Sequence, residues 1–389
     1  SIEATGTDLQ TGNQVTKDLN AATAAEEVPV DAVIEVTFDR EVDPVTANQT
    51  NFSLGVPANV SANGAVVTIT PNEELEKGTD YTLSLGAGIT SKDGGMFTAT
   101  SRTFSTGGRK AVVPPEESSM QFYMDFDGEF TDATGNYSID EVNTPTLVED
   151  RFGFVESAGL FDGNGNMLDV LNSESLLSES ITVSFWMKVT AVDTNKLHGF
   201  GILGTSGHKG LAFEMGGNDD PDDVNYLWLK PFTHHDNSKG GTATSWSDRI
   251  NGNQQDDGTL KNQWIGDFDA LIDNKWVQVV LTYDANTWDK IVYINGTLMW
   301  HENIGEGFAN PWTALKHFEP SPENASLMNR NWGIGYYGSS TDKITGWSDY
   351  SNDCPACPRT FSGYLDDIRI WNKPLSSSDV TTLYNDEKP

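Results

Sequence analysis

Apolar and polar residues alternate along most of this chain, in short runs broken by turn residues. Residues 33–38 (VIEVTF), 65–70 (AVVTIT), 81–85 (YTLSL) and 101–104 (SRTF) carry the two-residue period of half-buried strands. Asn63-Gly64 and Asp93-Gly94-Gly95 supply hairpin-type turns between them. Further on, 181–189 (ITVSFWMKV), 276–283 (WVQVVLTY) and 290–295 (KIVYIN) are alternating or continuously apolar, and Asn295-Gly296 turns the last of them back into 297–300 (TLMW). A strand-like phrase at 121–128 (QFYMDFDG) opens this second region; 361–371 (FSGYLDDIRIW) and a short helical run at 379–384 close it. No stretch keeps a 3.6-residue period for more than two or three turns. The pattern predicts an all-β chain in which antiparallel sheets pack face to face.

Composition divides this pattern in two. All 11 Trp, all 6 His and both Cys lie beyond residue 185. Between the regions, Gly107-Gly108-Arg109-Lys110 through Pro114-Pro115-Glu116-Glu117-Ser118-Ser119 is polar and bounded by Gly and Pro, so 107–119 is expected to be a linker. Segment 1–106 is of the length and pattern of a small β-sandwich. Its phrase VPVDAVIEVTFDREVDP, followed by LEKGTDYTL at 75–83, resembles bacterial Ig-like domains of the surface-layer type, which implies a spacer. Having no His, Cys or Trp, it lacks the usual means of building a chemical site.

In segment 120–389 the order DFDG, FDGNGN (161–166), SFWMK, WVQVVLTYD, KIVYINGTL and GYLDDIRIWNKPLS resembles the laminin-G/concanavalin A-like lectin family, in its pentraxin-like bacterial branch. The resemblance implies a C-terminal β-sandwich jelly roll with ligand sites on loops at one edge. It also implies a structural calcium held by acids of the first and last strands. Residues 193–275 depart from the family as an insertion rich in Gly, Asp, Trp and His.

Trp186, Trp276, Trp300 and Trp371 sit in strand phrases and are expected in the core. Trp228, Trp246, Trp264, Trp312, Trp332 and Trp347 sit in polar or Gly-rich sequence, where an indole face suits the apolar C–H face of a sugar ring. His234, His235 and Arg249 are polar neighbours able to read hydroxyls; the alternative is that these rings form a small core for the insertion. In YLDDIRI, period two places Asp366 with Ile368 and Ile370, facing inward, and a buried carboxylate needs a cation or several donors. Asp125, Asp127 and Asp162 are hard oxygen donors that would complete a calcium site with it; an Asp366–Arg network is the other reading. Cys354-Pro-Ala-Cys357 is expected to form a local disulfide bracing a loop.

A formal charge of −33 repels phosphates, so nucleic acid is not an expected partner, and a polyanionic ligand is disfavoured. The E-x-D-x-E strand phrase of concanavalin A-like glucanases is missing, as are the R-x-E-x-R and Y-F-K-x-G phrases of alginate lyases. The expectation is therefore a non-catalytic, monomeric, exported protein that captures a polysaccharide, a neutral β-glucan such as laminarin, by aromatic stacking. In architecture it is similar to the surface glycan-binding lipoproteins of Bacteroidota, which implies an outer-membrane location beside a glycan transporter complex. A glycanase or lyase and a protein-binding adhesin are the alternatives.

Overall fold

A computed structural model describes residues 1–21, 23–189, 200–205, 210–217, 227–237, 242–246, 250, 266–305, 312–315, 331–336 and 360–389; for 200, 217, 236–237, 242–246 and 312–314 it describes the backbone alone. The chain is all-β and divides into two compact units, Ser1–Val112 with Phe152–Val155, and Val113–Arg151 with Glu156–Pro389. The main division falls inside the stretch 107–119.

The first unit contains β1 (Ile2–Thr7), β2 (Gln14–Asp18), β3 (Ala25–Val28), β4 (Val33–Thr37) and β5 (Phe52–Ser53). After these come β6 (Ala58–Asn63), β7 (Val66–Pro71), β8 (Asp80–Leu85) and β9 (Thr100–Thr106). One sheet has the order β2-β1-β4-β7-β6, the other β3-β9-β8-β5. Alternation sets their inner faces: Ile34 and Val36 of β4 are buried while Glu35 and Thr37 are exposed. These two side chains join Val67, Ile69, Leu83, Leu85 and Phe104 in one core. Gly64, at φ 62°, makes the turn expected at Asn63-Gly64.

The second unit begins with β10 (Met120–Met124), β11 (Ser138–Val142), β12 (Thr146–Val148), β13 (Ala158–Asp162), β14 (Met167–Leu171) and β15 (Ile181–Val189). β16 (Phe200–Thr205), β17 (Leu211–Gly217), β18 (Leu227–Asn237) and β19 (Thr242–Trp246) follow. A short helix α1 (Phe268–Ile272) precedes β20 (Trp276–Asp284), β21 (Asp289–Ile294) and β22 (Thr297–Asn303). The chain then forms β23 (Trp312–Leu315), β24 (Trp332–Ile334), β25 (Ser362–Trp371) and α2 (Ser377–Glu387). Among the described residues there are two large sheets. The first runs β12-β13-β25-β15-β20-β21-β22 with β10 on β25; the second runs β11-β14-β24-β16-β17-β18-β19 with β23 on β18. Val183, Phe185, Val279 and Leu281 of the first meet Leu203, Phe213, Leu229 and Ile334 of the second in a common core.

Both faces of the first sheet are apolar over part of their length, which explains why β15 and β20 are nearly continuous hydrophobic runs rather than clean alternations. α2 covers the outer face. Its start is fixed by a capping box between Ser376 and Asp379. Val380 and Leu383 then pack with Val280, Tyr293, Trp371 and Leu375. Asn295 and Gly296 both have positive φ, 51° and 69°, the geometry a two-residue hairpin demands between β21 and β22.

Candidate functional site

The sequence places Asp366 inward, and the structure turns it outward. β25 carries a bulge: Asp367 is left-handed at φ 46°, and pairing with β15 skips from Ser184↔Arg369 to Trp186↔Asp366. One extra residue reverses the alternation on one side of it. Leu365, Ile368 and Ile370 therefore enter the core. Asp366, Asp367, Arg369 and Trp371 lie on the outer face near α2. There the side chain of Arg151 bonds Asp366 and Asp367, the latter at 2.5 Å. Tyr123 donates its hydroxyl to Asp367 (2.7 Å), and Arg369 bridges Asp367 (3.2 Å) and Glu387. Trp186 Nε1 and Gln278 Nε2 donate to Glu387 at 2.8 and 2.9 Å. Burial raises the Glu387 pKa, against the pull of Arg369 and Arg151.

Of the four acids expected to hold calcium, Asp162 and Asp366 lie in separate surroundings. Asp366 is engaged by Arg151, and Asp162 is exposed, accepting the N–H of Asn164 in its own turn (2.8 Å). Asp162 sits opposite Ser362, four residues and about 13 Å along β25 from Asp366. Asp125 accepts the N–H of Asp127 (3.2 Å). Among the described residues no group of three or more His, Cys, Asp or Glu could hold a metal ion.

Two expected sugar-stacking rings are sealed. Trp332, 1% exposed, is a core residue of β24, and Trp228, 3% exposed, lies over Gly216 of the neighbouring β17. Their polar flanking sequence concealed strands central to the second sheet. His234 and His235 are buried as well, so neither is a surface reader of hydroxyls. The His235 ring lies 4.8 Å from that of Tyr283, and its Nε2 is 2.8 Å from Thr233 Oγ1. Burial, then the charges of Lys290 and His234, hold the His235 pKa well below its ordinary value. For Trp246 and Trp312 the backbone register alone is described, opposite Phe232 and Asn237. Arg249, Trp264, Trp347, Cys354 and Cys357 lie outside the described residues.

A different aromatic surface is present on the outer face of the first sheet, beyond the reach of α2. Tyr364, Lys188 and Trp276 stand side by side on β25, β15 and β20, in the register Tyr364↔Lys188↔Trp276. All three are half-buried, as is Leu160 opposite Tyr364 on β13. The Trp276 and Tyr364 rings are 6.0 Å apart at 61°, and Lys188 Nζ is 5.2 Å from the Tyr364 centroid. Among the described residues no carboxylate pairs with Lys188. Chemically this is a hydrophobic platform with a donor at its centre. Trp276 was expected in the core because its strand is apolar. The available signal was the face: period two groups it with Gln278 and Thr282, away from Val277, Val279 and Leu281.

Residues 11–106 match the family model of the bacterial Ig-like domain. No curated protein matches the chain. Among solved structures, the receptor-binding domain of botulinum neurotoxin C/D mosaic serotype aligns at 16% identity and TM-score 0.42, over 69% of this chain and 52% of that one. The binding domain of Paraclostridial Mosquitocidal Protein 1 aligns at 15% and 0.41, over 69% and 52%. Domain 4 of AbnA, a GH43 extracellular arabinanase from Geobacillus stearothermophilus in complex with arabinotriose, aligns at 16% and 0.39, over 68% and 98%. The chain thus spans about half the length of the toxin structures and nearly all of the arabinanase domain.

Proposed function

We propose that this chain is a non-catalytic glycan-binding protein, in which the Ig-like unit is a spacer and the second unit holds a neutral polysaccharide. One observation carries the reading: two half-exposed aromatic rings, Trp276 and Tyr364, flank the Lys188 amine on a rigid sheet face that nothing described covers. A sugar ring laid on the indole buries its apolar face, while the amine donates to its hydroxyls. Strand positions hold these groups with little rotamer freedom, which limits the ordering cost of binding. The charge of −33 disfavours polyanions at long range and so favours a neutral chain such as a β-glucan. Each stacked ring contributes about 1 kcal/mol beyond its buried area, so micromolar to millimolar affinity is expected.

Electrophoresis through gels containing laminarin and other neutral polysaccharides tests the proposal. The protein should be retarded in at least one, with Trp276→Ala weakening the interaction about five-fold, and no oligosaccharide should be released on prolonged incubation. Unretarded migration across the whole panel would sink it.

A further inference from the structure

The β20–β21 hairpin carries a second aromatic and polar cluster, built from residues the sequence pattern passes over. Trp288 ends the turn at φ 64°, in the left-handed region that bulky side chains rarely occupy. Two backbone bonds hold it there: its N–H donates to Asp284 (2.7 Å), and its carbonyl accepts from Ile304 (2.9 Å). Its half-buried ring lies against Gly305, where a Cβ would come within 2.0 Å of the indole. Next to it, Asp289 Oδ1 is 2.8 Å from His301 Nε2 and 3.0 Å from Asn303 Nδ2. The Asp289 and His301 side chains remain 30% and 20% exposed. Burial opposes the charge on Asp289, yet hydrogen bonds from His301, Thr287 and Asn303 hold its pKa below the usual carboxylate range. The nearest strand lysine, Lys290, points to the other face and pairs with Glu302 at 3.0 Å.

We propose that Trp288, Asp289, His301 and Asn303 form a second carbohydrate subsite, one that takes a neutral sugar residue through ring stacking and a hydroxyl pair donated to the Asp289 carboxylate. The proposal rests on the glycan-binding reading but not on the Trp276 platform. The two lie at opposite ends of β20, about 26 Å apart by strand rise, with α2 over the sheet between them. A long glycan that engages both gains affinity from the linkage itself, without new contacts at either. An ionised, hydrogen-bonded carboxylate accepts from hydroxyls and repels uronate or sulfate groups, so this subsite discriminates by charge.

The test uses the full chain, the neutral polysaccharide that retards it, and the same polysaccharide after partial oxidation to carboxylates. Trp288→Asn removes the ring while suiting the left-handed backbone, and Asp289→Asn keeps shape while removing charge. Unfolding midpoints close to that of the parent chain verify that both variants fold. Each should bind the neutral glycan about five-fold more weakly. Asp289→Asn should also narrow, without abolishing, the preference for the neutral over the oxidised form. Combining Trp288→Asn with Trp276→Ala should abolish retardation, while each single variant keeps some. Parent-like binding by both folded hairpin variants, with Trp276→Ala alone abolishing it, overturns this inference and leaves the platform standing. The reverse result, an inert Trp276→Ala and a dead Trp288→Asn, upholds the hairpin subsite and removes the platform. Failure of the parent chain to bind any glycan overturns both.

Discussion

The outer face of the first large sheet is put to two uses. Toward α2 it is sealed, and its polar residues are drawn into a buried network of two arginines and three carboxylates around Trp186. Toward the other ends of the same strands nothing among the described residues covers it, and Lys188, Trp276 and Tyr364 stand half-exposed. The strands and the alternation are common to both halves; the cover differs. A polar or aromatic side chain on this face is buried under the helix and half-exposed beyond it. Location relative to one eleven-residue helix separates the two roles.

The contrast can be broken deliberately. The largest effect belongs to the sealed half: Arg151→Ala removes the guanidinium that pairs with Asp366 and Asp367 in a dry site and should cost about 3–5 kcal/mol of stability. Denaturant unfolding would show it, and glycan affinity of the folded fraction should not change. Next comes acid. His235, in the core beneath the same sheet, has a depressed pKa when folded, so the unfolded chain binds its proton more readily. Its contribution is present above the ordinary His value and is lost as pH falls toward the folded value. The stability difference between the parent and His235→Gln should shrink by about 1.4 kcal/mol per pH unit across that window. This comparison also cancels the opposite trend from Glu387, whose raised pKa favours the folded state on acidification. Smallest is the half beyond the helix. Lys188→Met should alter stability by about 0.5–1 kcal/mol, the scale of an exposed cation–π contact, while weakening glycan retardation. A stability loss at Lys188 as large as that at Arg151 would erase the distinction between the halves.

Much of the scaffold was legible from local pattern. The ITVSFWMKV run is β15 from its first residue to its last, and the Asn295-Gly296 turn sits between the strands expected to flank it. These succeed because periodicity and turn chemistry are local. The site was harder to read because cover is not local. Nothing in 276–283 says that a helix a hundred residues later shields Val280 and stops short of Trp276. Polar neighbours made Trp228 and Trp332 look like loop residues, although each belongs to a strand inside the second sheet. Asp366 was misplaced by a single left-handed residue, because alternation carries no signal for the point at which it slips. Trp288, the one Trp outside both groupings, met the criterion of an indole in polar turn sequence, D-A-N-T-W-D.

That slip in β25 falls where the strand changes company. On one edge, residues up to Leu365 pair with β13 and those from Ile368 onward pair with β10, while β15 runs along the opposite edge throughout. The irregularity therefore acts as a hinge pin between two neighbours that need not share a common pleat. Deleting Asp367 would straighten the strand and keep Ile368 and Ile370 facing in and Arg369 facing out, at the loss of the carboxylate that Arg151, Tyr123 and Arg369 share. Loss of Ile368 instead would bring the Asp367 carboxylate to the inward position, so a length scan across 362–371 should find removal of 368 more damaging than removal of 367.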